Sequence, residues 1–244
     1  MVHLSVNVNK VATLRNSRGG DQPRVLDAVA VCLEAGVAGI TVHPRSDERH
    51  IRPGDVRDIG AVLRQFPGVE YNIEGDPRPG LLALVREVRP HQCTLVPVRQ
   101  GEITSQAGWT PGQAGGLDGA IANLRAVGIR VSVFVDAEPD AVRFAKSLGA
   151  DRIELYTEPY ARAFEGGPDA GRRSLERYAD AARLARSLGM GVNAGHDLDL
   201  ENLALFRTLP HLDEVSIGHA LFSRALFVGL STAVREYLAL LAQE

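Results

Sequence analysis

Along its whole length the chain alternates short β-branched segments with longer segments in which apolar residues recur every three or four positions. This alternation is typical of α/β folds built from strand–helix units. Eight strands are predicted, at residues 3–8, 39–43, 69–74, 92–97, 130–135, 152–156, 191–194 and 213–217. Helices are predicted between and after them, at residues 24–35, 54–65, 79–88, 117–127, 138–148, 171–188, 199–207 and 220–242.

Eight strand–helix pairs in 244 residues predict a (β/α)8 TIM barrel, and a doubly wound open sheet is the alternative. A helix–glycine–strand junction recurs at residues 34–41, 126–131 and 187–192, as expected for a unit repeated around a ring. Residues 98–116 and 157–170 are predicted to be long irregular loops. No Pro- or Ser-rich linker interrupts the sequence, so residues 1–244 are predicted to form a single domain.

Charge and hydropathy argue against several classes of function. With 27 Lys and Arg against 30 Asp and Glu, the net charge of −3 gives no basic field for binding nucleic acid. The apolar runs are much shorter than the roughly 20 residues that span a bilayer, so no membrane segment is predicted. The first strand begins too close to Met1 for an export signal, and Cys32 and Cys93 lie in apolar stretches. We therefore expect a cytoplasmic protein with two buried thiols.

Polar residues end nearly every predicted strand, and in barrels of this type the chemistry takes place at those ends. From the first strand to the last, the residues at or just beyond the ends are Asn7, Asn9, Lys10, His43, Arg45, Glu74, Arg99, Glu102, Thr104, Asp136, Glu154, Tyr156, Asn193, Gly195, His196, Gly218 and His219. Each alone could serve only to cap a helix or complete a turn. The carboxylates Glu74 and Glu154 and three histidines on one face, however, indicate acid–base chemistry.

Two segments suit phosphate binding. Residues 193–196 and 217–221 each place a glycine after a strand, and the second opens the last predicted helix, whose unpaired N–H groups favour an anion. Cationic clusters occur at residues 14–20 and 43–50. The alternative is that the glycines serve only tight turns and that the charged loops are simply solvated. Two anion sites on one face would suit two phosphorylated substrates or one bisphosphate.

A metal centre and a Schiff-base lysine are the competing chemistries. The sequence has no HxH or HExxH spacing, and the candidate ligands come one per strand, so no metal is predicted. No lysine ends a central strand, because Lys10 lies in the first loop and Lys146 within a predicted helix. Acid–base catalysis by His and Glu is therefore favoured.

The chain resembles the PdxJ family of pyridoxine 5′-phosphate synthases. The matching segments are residues 6–19, 39–45, 49–51, 72–74, 95–97, 102–105, 153–154, 192–196 and 217–220. They extend over nearly the whole chain in the order found in the family. The resemblance implies a (β/α)8 barrel with additional helices, assembled as a homo-octamer.

The resemblance also implies a reaction. The family condenses 1-deoxy-D-xylulose 5-phosphate with 3-amino-2-oxopropyl phosphate to give pyridoxine 5′-phosphate, phosphate and water. Both substrates carry a phosphate, which fits the two expected anion sites. The amine of one substrate forms the imine with the ketone of the other, so neither a catalytic lysine nor a cofactor is implied.

The family's site residues carry over position by position. His43 and Glu74 resemble its proton acceptors, His196 its proton donor, and Glu154 a carboxylate that assists the transition state. The residues that match contacts to the aminoketone phosphate are Asn7, Arg18, Gly195, Gly218 and His219. Those that match contacts to the deoxyxylulose phosphate are Arg45, His50 and Thr104.

The chain departs from the family pattern at two places. Asn9 and Lys10 stand where many members have Asp and His, and we expect both still to contact the deoxyxylulose phosphate. Tyr156 and Glu158 stand where many members have His and Gly. The alternative functions are a different phosphosugar isomerase or aldolase on the same type of barrel, and a non-catalytic scaffold. The scaffold would be favoured if His43, Glu74 and His196 failed to converge.

Overall fold

The computed structural model describes residues 1–98, 105–113 and 115–243. Eight parallel strands pair in chain order, and the pairing of the first with the last closes a barrel. The strands are β1 (His3–Asn7), β2 (Gly39–Val42), β3 (Glu70–Gly75), β4 (Gln92–Leu95), β5 (Arg130–Val135), β6 (Arg152–Tyr156), β7 (Gly191–Gly195) and β8 (Leu212–Ile217). The predicted (β/α)8 barrel is confirmed, and the open sheet is wrong.

Helices surround the barrel, and the described part of the chain has more of them than strands. They are α1 (Asn9–Asn16), α2 (Val25–Ala35), α3 (Pro53–Leu63), α4 (Pro79–Val88), α5 (Leu117–Arg125), α6 (Pro139–Ser147), α7 (Glu158–Glu165), α8 (Pro168–Ser187), α9 (Leu203–Phe206), α10 (His219–Val228) and α11 (Leu230–Leu241). A 3₁₀ turn at Pro111–Gln113 precedes α5. In the described ranges, no helix is long and apolar enough to cross a membrane.

Three helical predictions are corrected by the structure. α1 and α7 form where a cationic loop and an irregular stretch are predicted. Each has a weak hydrophobic signal, since α1 buries only Val11, Ala12 and Arg15, and α7 buries only Tyr160. The helix predicted at residues 220–242 is interrupted at Gly229, whose φ of 84° and ψ of 150° are readily adopted only by glycine. α10 and α11 are therefore separate helices.

The apolar core lies between the barrel and the helices. Alternate strand residues such as Val6, Ile40 and Ile73 are fully buried and belong to one cluster with helix residues such as Val29 and Ile59. Burying a side chain of this kind stabilises the fold by about 1.5–3 kcal/mol. The outer face of the strands is thus the face that holds the helices in place.

The inner face of the barrel is polar. Ser5 Oγ lies 2.7 Å from Thr41 Oγ1, and Thr94 Oγ1 donates a hydrogen bond of 3.1 Å to Asn72 Oδ1. Barrels of this class are more often filled by branched apolar side chains. Buried polar groups are tolerated when they bond to one another, so these cross-strand contacts support a hydrophilic interior that extends up to the strand ends.

Candidate active site

A cavity of about 270 Å³ lies at the carboxyl ends of the strands and brings most of the predicted site residues together. The predicted residues that line it are Asn7, Asn9, Lys10, His43, Arg45, His50, Glu74, Glu154, His196, Gly218 and His219. His43, Glu74 and His196 therefore converge. The scaffold alternative would have been favoured if they had not, so their convergence argues against it.

Three predicted residues are not among those lining residues. Arg18 lies on an exposed turn just after α1. Gly195 is the buried last residue of β7, where a Cβ would come within 2.7 Å of Oε1 of Glu154. Thr104 lies outside the described residues. Their predicted contacts to substrate stay predictions.

His43 and Glu74 form a close acid–base pair in the cavity. Nδ1 of His43 lies 3.9 Å from Oε2 of Glu74, and both side chains are about nine-tenths buried. Burial, followed by the charges of Glu154 and Glu214, raises the pKa of Glu74 well above its usual range. Burial, with His50 and Arg45 nearby, lowers the pKa of His43 well below its usual range. Both effects favour the uncharged pair.

Glu154 points into the barrel from β6 and is 3% exposed. Burial raises its pKa to about 7, against the opposing effect of a hydrogen bond with Thr94. Its Oε2 has no hydrogen-bond partner among the described residues. A carboxylate that titrates near neutrality with an oxygen to spare can exchange protons with a bound molecule.

Asn9 bonds to the backbone of His43 and also lines the cavity. Its Oδ1 accepts a hydrogen bond of 2.9 Å from the backbone N–H of His43, and its own N–H donates to Oδ1 of Asn7 at 3.1 Å. The side chain of Asn9 thus joins the end of β1 to the end of β2. The predicted contact of Asn9 with substrate stays a prediction beside this structural role.

Cations and a helix N-terminus supply the positive side of the cavity. Lys10 and Arg45 line it together with Gly218 and His219, which open α10. His50 also lies there, with Nδ1 accepting a hydrogen bond of 2.9 Å from the N–H of Ile51. Burial and Arg45 lower the pKa of His50 to about 4, so its ring is neutral at pH 7. An anion would meet fixed cations, N–H groups and the neutral imidazole of His50.

Several residues of the site are missed by the sequence analysis. Ser216, which bonds to Glu74, lies one position before the end of β8, and Glu214 lies deeper on the same strand. Phe134 lines the cavity from β5. Alternation along β8 places Glu214 and Ser216 on one face of the strand, but only the closed barrel shows that this face is the inner one. Within the described residues, no group of three or more His, Cys, Asp or Glu side chains could hold a metal ion.

Enzymes of the (β/α)8-barrel class hold their reactive groups at the carboxyl ends of the strands in this way, and this chain is of that class. Solved barrels share its fold at low sequence identity. A 3-hexulose-6-phosphate synthase from Salmonella typhimurium matches with a TM-score of 0.66 and 14% identity, covering 98% of both chains. A phosphoribosyl anthranilate isomerase from Thermus thermophilus matches with a TM-score of 0.58 and 16% identity, covering 99% of this chain and 98% of that one.

The chain belongs to the PdxJ family. The family model described as pyridoxal phosphate biosynthesis protein PdxJ matches residues 4–243. Pyridoxine 5′-phosphate synthase of Bacteroides thetaiotaomicron is 52% identical over 239 residues, covering 97% of this chain and 98% of that protein. The protein of the same name from Christiangramia forsetii is 50% identical over 243 residues, covering 99% of this chain and 100% of the relative.

Proposed function

We propose that this chain synthesises pyridoxine 5′-phosphate by condensing 1-deoxy-D-xylulose 5-phosphate with 3-amino-2-oxopropyl phosphate. The observation that carries the proposal is the convergence of His43, Glu74, Glu154 and His196 on one cavity that also contains cations, in a member of the PdxJ family. Acid–base groups and anion-binding groups are both needed for this chemistry, and they lie within one space of about 270 Å³.

The condensation requires several proton transfers. The amine nitrogen of one substrate attacks the ketone carbon of the other, and water leaves as the C=N bond forms. Loss of phosphate, closure of the ring and loss of a second water then need protons to be removed from carbon and given to departing oxygens. The substrate supplies its own imine nitrogen, so the proposed reaction needs neither a catalytic lysine nor a cofactor.

The electrostatics of the site suit these transfers. Burial keeps Glu74 protonated at rest. Once it has given that proton up, its carboxylate is a stronger base than one in water, which supports Glu74 as a proton acceptor. A neutral imidazole can accept a proton, which supports the same role for His43. Glu154, with a pKa of about 7, can serve in either direction near neutral pH. His196 lines the same cavity and is proposed to donate a proton to a leaving oxygen.

The two substrate phosphates are proposed to occupy two parts of the cavity. Lys10, Arg45 and His50 suit the phosphate of the deoxyxylulose, and the N-terminus of α10 at Gly218 and His219 suits that of the aminoketone. We also propose phosphorylated small molecules as the only ligands, a homo-octamer as the assembly and the cytoplasm as the location. The free, buried thiols of Cys32 and Cys93 fit a reducing compartment.

The test is to incubate the purified protein with both substrates together and with each alone, following product mass and released phosphate. We expect pyridoxine 5′-phosphate only when both are present, formed in step with phosphate release. Turnover of a single phosphosugar without the amine would instead support the alternative of an isomerase or aldolase.

A further inference from the structure

The backbone at the end of β7 is strained where it carries His196. His196 has a φ of 88° and the next residue, Asp197, a φ of 56°. Residues with a side chain rarely adopt positive φ, so the surrounding structure must hold this strained conformation. The contacts around this turn show which groups do so.

Thr157 lies directly against the strained turn. It is fully buried, its hydroxyl donates a hydrogen bond of 2.7 Å to the carbonyl oxygen of Gly195, and the same hydroxyl contacts the carbonyl oxygen of His196. Its backbone N–H donates to the carbonyl of Gly195 as well, at 3.0 Å. Thr157 therefore holds two successive carbonyl groups around the residue that bears the imidazole.

The position of Thr157 makes this use of its hydroxyl unusual. Thr157 is the N-cap residue of α7, and a threonine there ordinarily bonds to the first turn of its own helix. Among the described residues, its hydroxyl makes no such capping bond. The hydroxyl bonds instead to the carbonyl groups of Gly195 and His196, so α7 lacks the stabilising N-cap bond that a threonine usually provides.

The ring of His196 is held by two aromatic side chains. Its centroid lies 5.7 Å from that of Phe134 and 5.3 Å from that of Tyr156, in edge-to-face arrangements of 61° and 80°. On the far side of the turn, Nδ2 of Asn202 donates a hydrogen bond of 2.9 Å to the carbonyl of Asp197. Backbone and ring are thus each fixed by separate contacts.

We propose that Thr157 is a positioning residue for His196, whose hydroxyl keeps the turn in its left-handed conformation so that the imidazole stays between Phe134 and Tyr156 and faces the cavity. This inference rests on the proposed function, in which His196 transfers a proton to substrate. Without the hydroxyl, the turn can relax and the ring leaves its aromatic pocket. A displacement of about 1 Å at a reacting group can cost on the order of a hundredfold in rate.

The test compares Thr157→Val, which keeps the size and loses the hydroxyl, with Thr157→Ser, which keeps the hydroxyl. Tyr71→Phe is the matched control, because it removes another buried hydroxyl-to-carbonyl hydrogen bond, to Val56, away from the cavity. We expect kcat of Thr157→Val to fall about tenfold or more with KM within about twofold of wild type. Thr157→Ser and Tyr71→Phe should stay within about threefold of wild type in both constants.

A second readout is independent of turnover. Burial lowers the pKa of His196, while Asp197 and Glu158 act against that effect and Lys10 reinforces it. Release of the ring to solvent in Thr157→Val should move its titration up toward the ordinary histidine value, measured by NMR on ¹³C-histidine protein with His196→Gln as the assignment control. Unchanged kcat and unchanged titration in Thr157→Val would overturn the proposal. Equal losses in Thr157→Val and Thr157→Ser, tracking melting temperature, would also overturn it, since they indicate a purely structural role.

Failure of the proposed function can be distinguished from failure of the role given to Thr157. If wild-type protein makes no pyridoxine 5′-phosphate, that function is wrong, while the titration of His196 in Thr157→Val still decides whether Thr157 positions the ring.

Discussion

Nδ1 of His43 and Oε2 of Glu74 lie 3.9 Å apart across the end of the barrel, too far for a hydrogen bond and close enough to contact one common atom. A substrate oxygen or a water about 2.8 Å from each would bond to both. Because burial disfavours charge on either group, the proton of the pair sits on Glu74 and the ring of His43 is neutral.

Glu74→Gln should reduce formation of pyridoxine 5′-phosphate by at least about 100-fold, because the amide keeps the shape of the carboxyl group and cannot accept a proton. Binding of each phosphorylated substrate, measured by calorimetry, should change by no more than a few-fold. Glu87→Gln is the control, since Glu87 is exposed and pairs with Arg57 on the surface. Weakened binding with unchanged turnover would contradict the role given to Glu74.

Asn9→Asp should move the acid limb of the pH profile of kcat/KM to higher pH. The aspartate can still accept the hydrogen bond from the N–H of His43, and it adds a negative charge beside that residue. The charge stabilises the imidazolium, so the pKa of His43 rises. A higher pH is then needed before the ring is neutral and can accept a proton. The profile is measured as initial rates between pH 5 and pH 9.

Asn123→Asp serves as the control for Asn9→Asp, because it adds the same charge on the exposed face of α5. Its profile should match that of the wild type. Identical shifts in the two variants would mean that net charge, and not contact with His43, determines the pH of the acid limb.

Gly195→Ala should lower turnover at least about tenfold while the protein still folds. The added Cβ would lie 2.7 Å from Oε1 of Glu154 and 3.3 Å from the carbonyl oxygen of Ser216, so the carboxyl group must move. Gly119→Ala is the matched control, since nothing lies within 4 Å of a Cβ at that position of α5. It should keep full activity and gain up to about 1 kcal/mol of stability. Full activity in Gly195→Ala would show that the position of Glu154 does not matter.

Much of the fold is predictable because its signals are local. The predicted bounds of β5 and β6 agree with the structure at both ends, since each is a short run rich in β-branched, aromatic or other apolar residues and is bordered by turn residues. α1 and α7 are not predicted because they bury few apolar residues and are held mainly by tertiary contacts. Arg15 at the end of α1, for example, binds both carboxylate oxygens of Asp55 in α3.

The residues of the site also divide into those that local sequence predicts and those that it does not. His43, Glu74 and His196 can be found from sequence because each stands at the end of a strand, where a barrel places its chemistry. Glu214 cannot, because only the closed barrel shows that the polar residues of the alternating strands face inward. Thr157 cannot, because it opens a stretch predicted to be an irregular loop, and only the neighbouring strand supplies the carbonyl groups that its hydroxyl contacts.

Glu214→Gln should stabilise the protein more at pH 8 than at pH 5. Glu214 is 3% exposed, and its Oε1 accepts a hydrogen bond of 3.3 Å from Asn193, which the glutamine oxygen can also accept. Burial, followed by the charge of Glu70, raises the pKa of Glu214 to about 8, against the opposing effect of Arg152. The unfolded value is about 4.3, so between these two pH values the folded state holds a proton that the unfolded state has released.

The stability contributed by protonated Glu214 is therefore fully present below about pH 4.3 and is lost as the pH rises through about 8. The glutamine cannot ionise and loses nothing, so the difference in free energy of unfolding between variant and wild type should grow by more than about 1 kcal/mol from pH 5 to pH 8. Urea unfolding at both pH values measures it. Glu176→Gln, on the exposed face of α8, is the control and should show the same small difference at both. A pH-independent difference for Glu214→Gln would mean that the buried carboxyl group is not held protonated by the barrel interior.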